Sequence, residues 1–395
     1  MGHAERDHAI LSASSAHRWL ACTPSARLEE QFPDTTSEAA REGTLAHELA
    51  ELKVRNYFYS VEFGKRKMNA AIKKLKAANE ELWQEEMQGY TDQYLDYIKT
   101  VALAGKTKPY VVIESRVDFS EWVPEGFGTA DCILLRGEEL HVFDFKYGKG
   151  VPVSSEGNPQ MMLYALGAVA RYNMLFSIKK IHLHIIQPRI DNMSEWSCSM
   201  EQLQEFGDYV RSRARLAIDG AGEFCPGESQ CRFCRARATC RARAEENVRL
   251  AFSPDKGKLP PLITAAEAGE YLSQGEDVER WLADLKDWAL SECLAGGDVP
   301  GWKAVEGRGS RNWSDMDAAF DRLIKIGIIP EEMLYERKPL TLAQVEKLVG
   351  KKDFQETVGE YVFKAPGKPA LVKETDKREA ITNKVSAAEA FKEER

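Results

Sequence analysis

Apolar and polar positions fall into two kinds of pattern along this chain, and the order of the two predicts the architecture. Residues 37–57, SEAAREGTLAHELAELKVRNY, carry apolar side chains at helical spacing, and the Lys-, Glu-, Leu- and Ala-rich stretch 66–105 reads as further helix. Strand character follows in YVVIESRVDF at 110–119, in 127–148 and in IKKIHLHIIQP at 178–188. Between the last two, Asn158 followed by Pro159 marks a helix start, an N-cap side chain ahead of a residue whose missing N–H costs the first turn nothing. The sequence therefore predicts helix, three meandering strands, helix, strand, which is an α/β core with a mixed sheet rather than a regular βαβ array.

The segment 127–148 is the most informative. FGTADCILLR and ELHVFDFKYG flank Gly137-Glu138, and glycine at the first central position of a two-residue connection signals a type II′ hairpin. Pairing from Arg136 with Glu139 then sets Asp131 opposite Asp144. Two carboxylates about 5 Å apart on one face repel each other unless something holds them, and a divalent cation is the commonest such partner. Alternation sends Asp144 and Lys146 to one face and Phe143 and Phe145 to the other, so the segment reads as a metal site with an adjacent amine.

Beyond the core, SPDKGKLPP at 253–261 reads as a linker, EAGEYLSQGEDVERWLADLKDWALSEC as an amphipathic helix, and residues 366–395 as a charged, partly ordered tail. This divides the chain into a core over 1–245, a linker over 246–261, a mainly helical accessory region over 262–365, and the tail. With 395 residues and 43% hydrophobic content, the chain can bury a sizeable core, and no apolar stretch approaches the roughly 18 residues of a membrane span. MGHAERDHAILSAS lacks the layout of a signal peptide, so the cytoplasm is expected.

The net charge of −8 argues against a general nucleic-acid coat, yet positive charge is concentrated in KRKMNAAIKKLK and in a run holding Arg211, Arg213, Arg215, Arg232, Arg235, Arg237, Arg241 and Arg243. Inside that run Cys231, Cys234 and Cys240 form C-x2-C-x5-C, a knot that needs a fourth ligand to close a tetrahedral zinc site or an iron–sulfur cluster; Cys22 or Cys225 can supply it. Cys132, Cys198 and Cys293 read as ordinary small core residues. His182 and His184 alternate on the last strand and read as structural. No phosphate loop of the type G-x-x-x-x-G-K-[ST] is present, so the chain carries no recognisable ATP motor.

Taken in order, GTLAHELAE, GTAD, VFDFKYG and QMMLYAL resemble the motifs of the RecB-like branch of the PD-(D/E)XK nuclease superfamily, nearest to a largely phage and prophage family of that group. Cys22 with the downstream cysteine knot resembles the iron–sulfur staple of AddB-type and CRISPR-associated RecB-like exonucleases. The likeness spans about residues 10–245, with Ala130 where the superfamily name has proline. It implies a restriction-endonuclease-like core, with His47, Asp131, Asp144 and the Phe145 carbonyl as ligands of Mg2+ or Mn2+. It further implies that Lys146 positions the attacking water, that Gln160 and Tyr164 hold the scissile strand or orient the lysine, and that Glu114 is a supporting acid. The residues alone leave Glu114 equally open as a partner of Arg116 or Lys146. Cys22, Cys231, Cys234 and Cys240 would bind a 4Fe-4S cluster, with structural Zn2+ as the alternative. The expected partner is DNA, single-stranded or at duplex ends, together with a helicase or recombination protein, and no membrane. A non-cleaving DNA-binding accessory protein and a zinc-knot interaction module are the competing expectations.

Overall fold

The computed structural model describes residues 9–33, 37–252, 264–305, 315–326, 334 and 341–362. Two short helices, α1 (Ala16–Ala21) and α2 (Ser25–Glu29), precede α3 (Glu38–Phe58), α4 (Lys65–Ala78) and α5 (Glu86–Leu103). The helical stretch expected over 66–105 is two helices, separated by a turn in which Asn79 closes α4. Strands β1 (Tyr110–Asp118), β2 (Phe127–Arg136) and β3 (Glu139–Phe145) follow, then α6 (Pro159–Phe176), β4 (Lys180–Gln187), β5 (Asn192–Ser199), α7 (Met200–Asp219), α8 (Glu228–Cys231), α9 (Arg241–Phe252) and α10 (Ala265–Leu294).

The fold is mixed α/β: one five-stranded sheet in the order β1-β2-β3-β4-β5, flanked by helices. The first three strands form the expected antiparallel meander, and α6 carries the chain across to lay β4 parallel to β3. Strand β5, which the periodicity did not reveal, pairs antiparallel with β4. The hairpin register is the expected one, Arg136 with Glu139 running to Cys132 with Phe143, and Gly137 holds φ 58 at the first turn position while Glu138 stays at negative φ. Asn158 caps α6 by accepting from the Met161 amide.

Each face of the sheet buries its own layer. Ile133, Leu135, Leu140, Val142 and Leu183 pack against α6 and α7, with Trp19 and Leu20 of α1 closing the edge. Cys132, Leu134, Phe143, Phe145 and Ile186 pack on the other side against Leu45, Leu49 and Val54 of α3 and Met87, Tyr94 and Ile98 of α5. Gly128 opens one close approach, since a Cβ there would stand 2.7 Å from the Tyr164 ring.

The chain divides into two compact units, residues 1–305 and 306–395. In the second, the described elements are α11 (Met316–Lys325), α12 (Leu342–Val349) and α13 (Lys351–Val358). Of the linker expected over 246–261, residues 246–252 instead continue α9, while 253–261 and the tail expected at 366–395 lie outside the described residues. Among the described residues no helix is long and apolar enough to cross a membrane.

Candidate functional site

The residues singled out on the hairpin, on α3 and on α6 converge at the end of β3. Phe145 donates its amide to Asp131 Oδ2 at 2.7 Å, and His47, brought in from α3, places Nδ1 3.4 Å from the same oxygen. The imidazole also meets the Phe145 ring edge-on at 5.4 Å between centroids. Across the hairpin, Lys146 Nζ lies 3.2 Å from Asp144 Oδ1 and 3.0 Å from Oδ2. Gln160, on the first turn of α6, closes the ring: its Nε2 donates to Asp144 Oδ1 at 3.1 Å and its Oε1 accepts from Lys146 at 3.1 Å. The same amide reaches Tyr164 one turn on, at 3.1 Å.

Burial sets the electrostatics. Asp144 is 2% exposed, and its Oδ2 accepts no hydrogen bond of good geometry. Desolvation lifts its carboxyl above the ordinary range against the pull of Lys146, and the facing Asp131 charge adds to the lift. Burial pushes Asp131 up as well, but the His47 charge and hydrogen bond, the Phe145 amide and Lys146 outweigh it and hold this carboxyl low. His47 and Lys146 respond in kind: burial lowers both, and the carboxylates beside them raise both by more.

Glu114 completes the acidic cluster from β1. Its position falls opposite Asp131, where the β1–β2 ladder skips a rung, and its backbone adopts φ 48, a left-handed conformation that a non-glycine residue rarely takes in mid-strand. Burial first, and then the charges of Asp131 and Glu51, push its carboxyl up to about 8. Of the partners considered for it, Arg116 stacks over the Phe127 ring at 3.8 Å and Lys146 is held by Asp144 and Gln160.

Lys146 and Gln160 open onto a cleft of about 730 Å3, whose far wall is His17, Glu228, Ser229, Arg232 and Phe233. Arg189 went unremarked in the sequence. It reaches from beyond β4 to Glu42 of α3 at 3.3 Å and Glu86 of α5 at 2.9 Å, over the Tyr147 ring, and so braces α3 beside the site. A lone arginine after a strand gave no signal of this.

Cys22, Cys231, Cys234 and Cys240 line one small cavity, and Cys225 lines it as a fifth. The first three are buried, Cys240 half-buried and Cys225 exposed. Burial pushes the Cys22 and Cys231 thiols up, and that of Cys234 up to about 12. The N-terminal segment is tied down around them. Thr23 Oγ1 donates to the Ala221 carbonyl at 2.6 Å, Arg27 to that of Ile218 at 2.6 Å, and the Arg235 amide to Glu29 at 2.8 Å.

The arginine run is not the open stripe that its density suggested. Arg213 donates to the Leu20 and Ala21 carbonyls, Arg211 pairs with Asp208, and Arg237 and Arg243 are engaged by Asp284 of α10. Arg213, Arg237 and Arg243 hold elements together, whereas Arg232 lines the cleft.

In comparisons with known proteins, the family described as "Protein of unknown function (DUF2800)" matches residues 8–379. Among solved structures, one titled "Crystal structure of SSO0001" aligns over 49% of this chain and 85% of its own, with 19% identity and a TM-score of 0.21. A likeness that slight carries no argument about this chain.

Proposed function

The chain belongs to the DUF2800 family, and we propose that it is a metal-dependent nuclease that hydrolyses phosphodiester bonds in DNA, an exonuclease acting on ends or single strands. The observation that carries this reading is the meeting of His47, Asp131, Asp144, Lys146 and Gln160 at one end of β3, two carboxylates and an imidazole beside a lysine ammonium.

The donor set suits a hard divalent cation. Asp144 Oδ2 is buried without a hydrogen bond, and Asp131, whose Oδ2 takes the Phe145 amide, faces it across the hairpin. His47, Asp131, Asp144 and the Phe145 carbonyl would hold the ion, with Mg2+ or Mn2+ matching carboxylate and carbonyl oxygens and the imidazole favouring Mn2+. When bound, the ion supplies Lewis acidity, offsetting the negative charge that builds on the phosphate and making water a stronger nucleophile.

The remaining work falls to the protein. Lys146, fixed by Asp144 and Gln160, holds an ammonium where an attacking water or a phosphate oxygen would sit. Tyr164 steadies Gln160, and Gly128 leaves room for its ring. The cleft beyond Lys146 offers Arg232 for phosphate contact and Phe233, which is 61% exposed, for base stacking, a pairing suited to a single strand. Cys22, Cys231, Cys234 and Cys240 would hold a 4Fe-4S cluster that staples the N-terminal segment to the region after the sheet. Free thiols and a DNA substrate both suit the cytoplasm, where a helicase or recombination protein would present DNA ends.

The test is degradation of end-labelled single- and double-stranded DNA with Mg2+, Mn2+ or EDTA, comparing wild type with Asp144→Ala and Lys146→Ala. We expect metal-dependent cleavage by wild type and a fall of about 10²–10³ in each variant, the scale at which removing one charge-stabilising group acts. Equal cleavage by all three proteins sinks the assignment. DNA binding without cleavage by wild type replaces it with the accessory-protein reading.

A further inference from the structure

The parallel register of β3 and β4 sets His141 beside His182 and Phe143 beside His184, so three imidazoles share one sheet face at the end remote from Lys146. His141 and His182 stack at 4.4 Å between centroids, and His184 stacks on Phe143 at 4.5 Å. Stacking explains how the rings pack, but not where their nitrogens point.

His141 and His182 each have one nitrogen engaged, and His184 has both. His182 Nδ1 lies 2.8 Å from Ser197 Oγ, and His141 Nδ1 lies 3.1 Å from His184 Nε2, whose own Nδ1 lies 3.1 Å from the Tyr97 hydroxyl. If His182 donates to Ser197 and His141 to His184, both rings keep a lone pair on Nε2. Those two Nε2 atoms are buried and without hydrogen-bond partners. An orphaned buried nitrogen costs about 1–3 kcal/mol, and two at one spot ask for a common partner.

Glu139, the first residue of β3, brings its carboxylate to the same spot. Its Oε2 stands 3.8 Å from His141 Nε2 and its Oε1 4.0 Å from His182 Nε2, and one ligand atom from each of the three residues lies within 4.8 Å of the others. Those separations are too long for hydrogen bonds. Ligand atoms on a tetrahedral zinc with bonds of about 2.0–2.2 Å stand roughly 3.3–3.6 Å apart, so the carboxylate must close, and because the two rings stack only 10° from parallel, one imidazole must also turn out of the stack for both lone pairs to meet at one ion.

We propose that Glu139, His141 and His182 form a second cation site, distinct from the one at Asp131 and Asp144, for a first-row divalent metal of the zinc class. Two imidazoles and one carboxylate are donors that zinc takes, and the hydrogen bonds of the His182 and His141 Nδ1 atoms with Ser197 and His184 would fix the tautomer and orientation of each ring. Glu139 is 41% exposed, so the fourth position faces solvent; the Arg136 guanidinium, 3.7 Å from Oε2, must yield the carboxylate to the metal. Asp144 projects from the opposite face of β3, toward Gln160, so the two sites share no ligand.

The experiment is equilibrium dialysis of the full chain, stripped with EDTA, against zinc, with bound metal counted per chain and thermal melting recorded with and without zinc. Wild type should bind one zinc more than His182→Gln, and that zinc should raise the melting temperature of wild type alone. Glu139→Gln should weaken the same zinc by more than about tenfold, the lower bound for losing an outer-shell contact, while Asp144→Asn keeps it. Should His182→Gln fail to fold, the half-exposed Glu139 carries the test by itself. Unchanged zinc stoichiometry and affinity in Glu139→Gln, or loss of the extra zinc from Asp144→Asn instead, overturns the proposal.

Discussion

Arg243 Nη1 meets Asp284 Oδ2 at 2.7 Å with the arginine side chain fully buried, joining α9 to α10 in one ion pair. Asp277 approaches the other guanidinium nitrogen at 3.3 Å, and Arg237 shares Asp284 at 2.9 Å. The run of arginines thus contains members that hold helices together, Arg237 and Arg243, and one that lines the cleft, Arg232.

The two roles should separate on substitution. Arg243→Ala leaves two aspartates facing a vacated buried site and should cost about 3–5 kcal/mol, read as a lower melting temperature. Arg232→Ala should leave melting unchanged, weaken binding to single-stranded DNA, and lower the slope of log affinity against log salt by about 1. The reverse pattern, with Arg232 structural and Arg243 affecting only DNA binding, would remove the cleft as the path of the strand.

How much of this was legible in the sequence depended on how local each relation is. Hairpin register follows from a turn and an alternation, so Asp131 and Asp144 were placed opposite each other from residues 127–148 alone. Strand β5 escaped because NMSEWSCS is an edge strand that buries only Cys198 and so carries no apolar stripe. The break between α4 and α5 was hidden by uniformly helix-favouring composition. His141 and Glu139 could not be read as candidate ligands, because their neighbour His182 arrives only through the crossover α6. The partners of Arg243 were hidden for the same reason, since Asp277 and Asp284 lie on a separate helix.

The metal-free protein should lose stability on the acid side through its buried histidines. Burial drives the imidazole of His141 from an ordinary 6.5 down to about 2, with the charges of His182 and His184 adding to it, and that of His184 down to about 3. Both folded values lie below the unfolded one, so the stabilisation is present above pH 6.5 and is lost as pH falls toward the folded values. The loss is at most about 1.4 kcal/mol per pH unit for each group. Melting in EDTA at about pH 7 and about pH 5 should show the drop, and His184→Phe, which keeps a ring against Phe143, should reduce it. A drop of equal size in that variant would assign the acid sensitivity elsewhere.

The cysteine cavity offers five thiols for a cluster that takes four, so the fourth ligand to Cys231, Cys234 and Cys240 is a choice between Cys22 and Cys225. Burial separates them. Cys22 is 7% exposed at the end of α1, in a segment pinned by Thr23 and Arg27, while Cys225 is exposed and its sulfur is met by Gln230 Nε2 at 3.6 Å. The Cys22 thiol, raised by burial, becomes a thiolate only when the metal binds, so cluster loss removes one of the ties on the N-terminal segment beside those of Thr23 and Arg27. Anaerobically purified wild type should be brown, with the broad visible absorption of an iron–sulfur cluster. Cys22→Ser should bleach it and lower the melting temperature, while Cys225→Ser should leave both in place. A brown and equally stable Cys22→Ser protein would hand the fourth position to Cys225, and a colourless wild type carrying zinc would replace the cluster with a zinc knot.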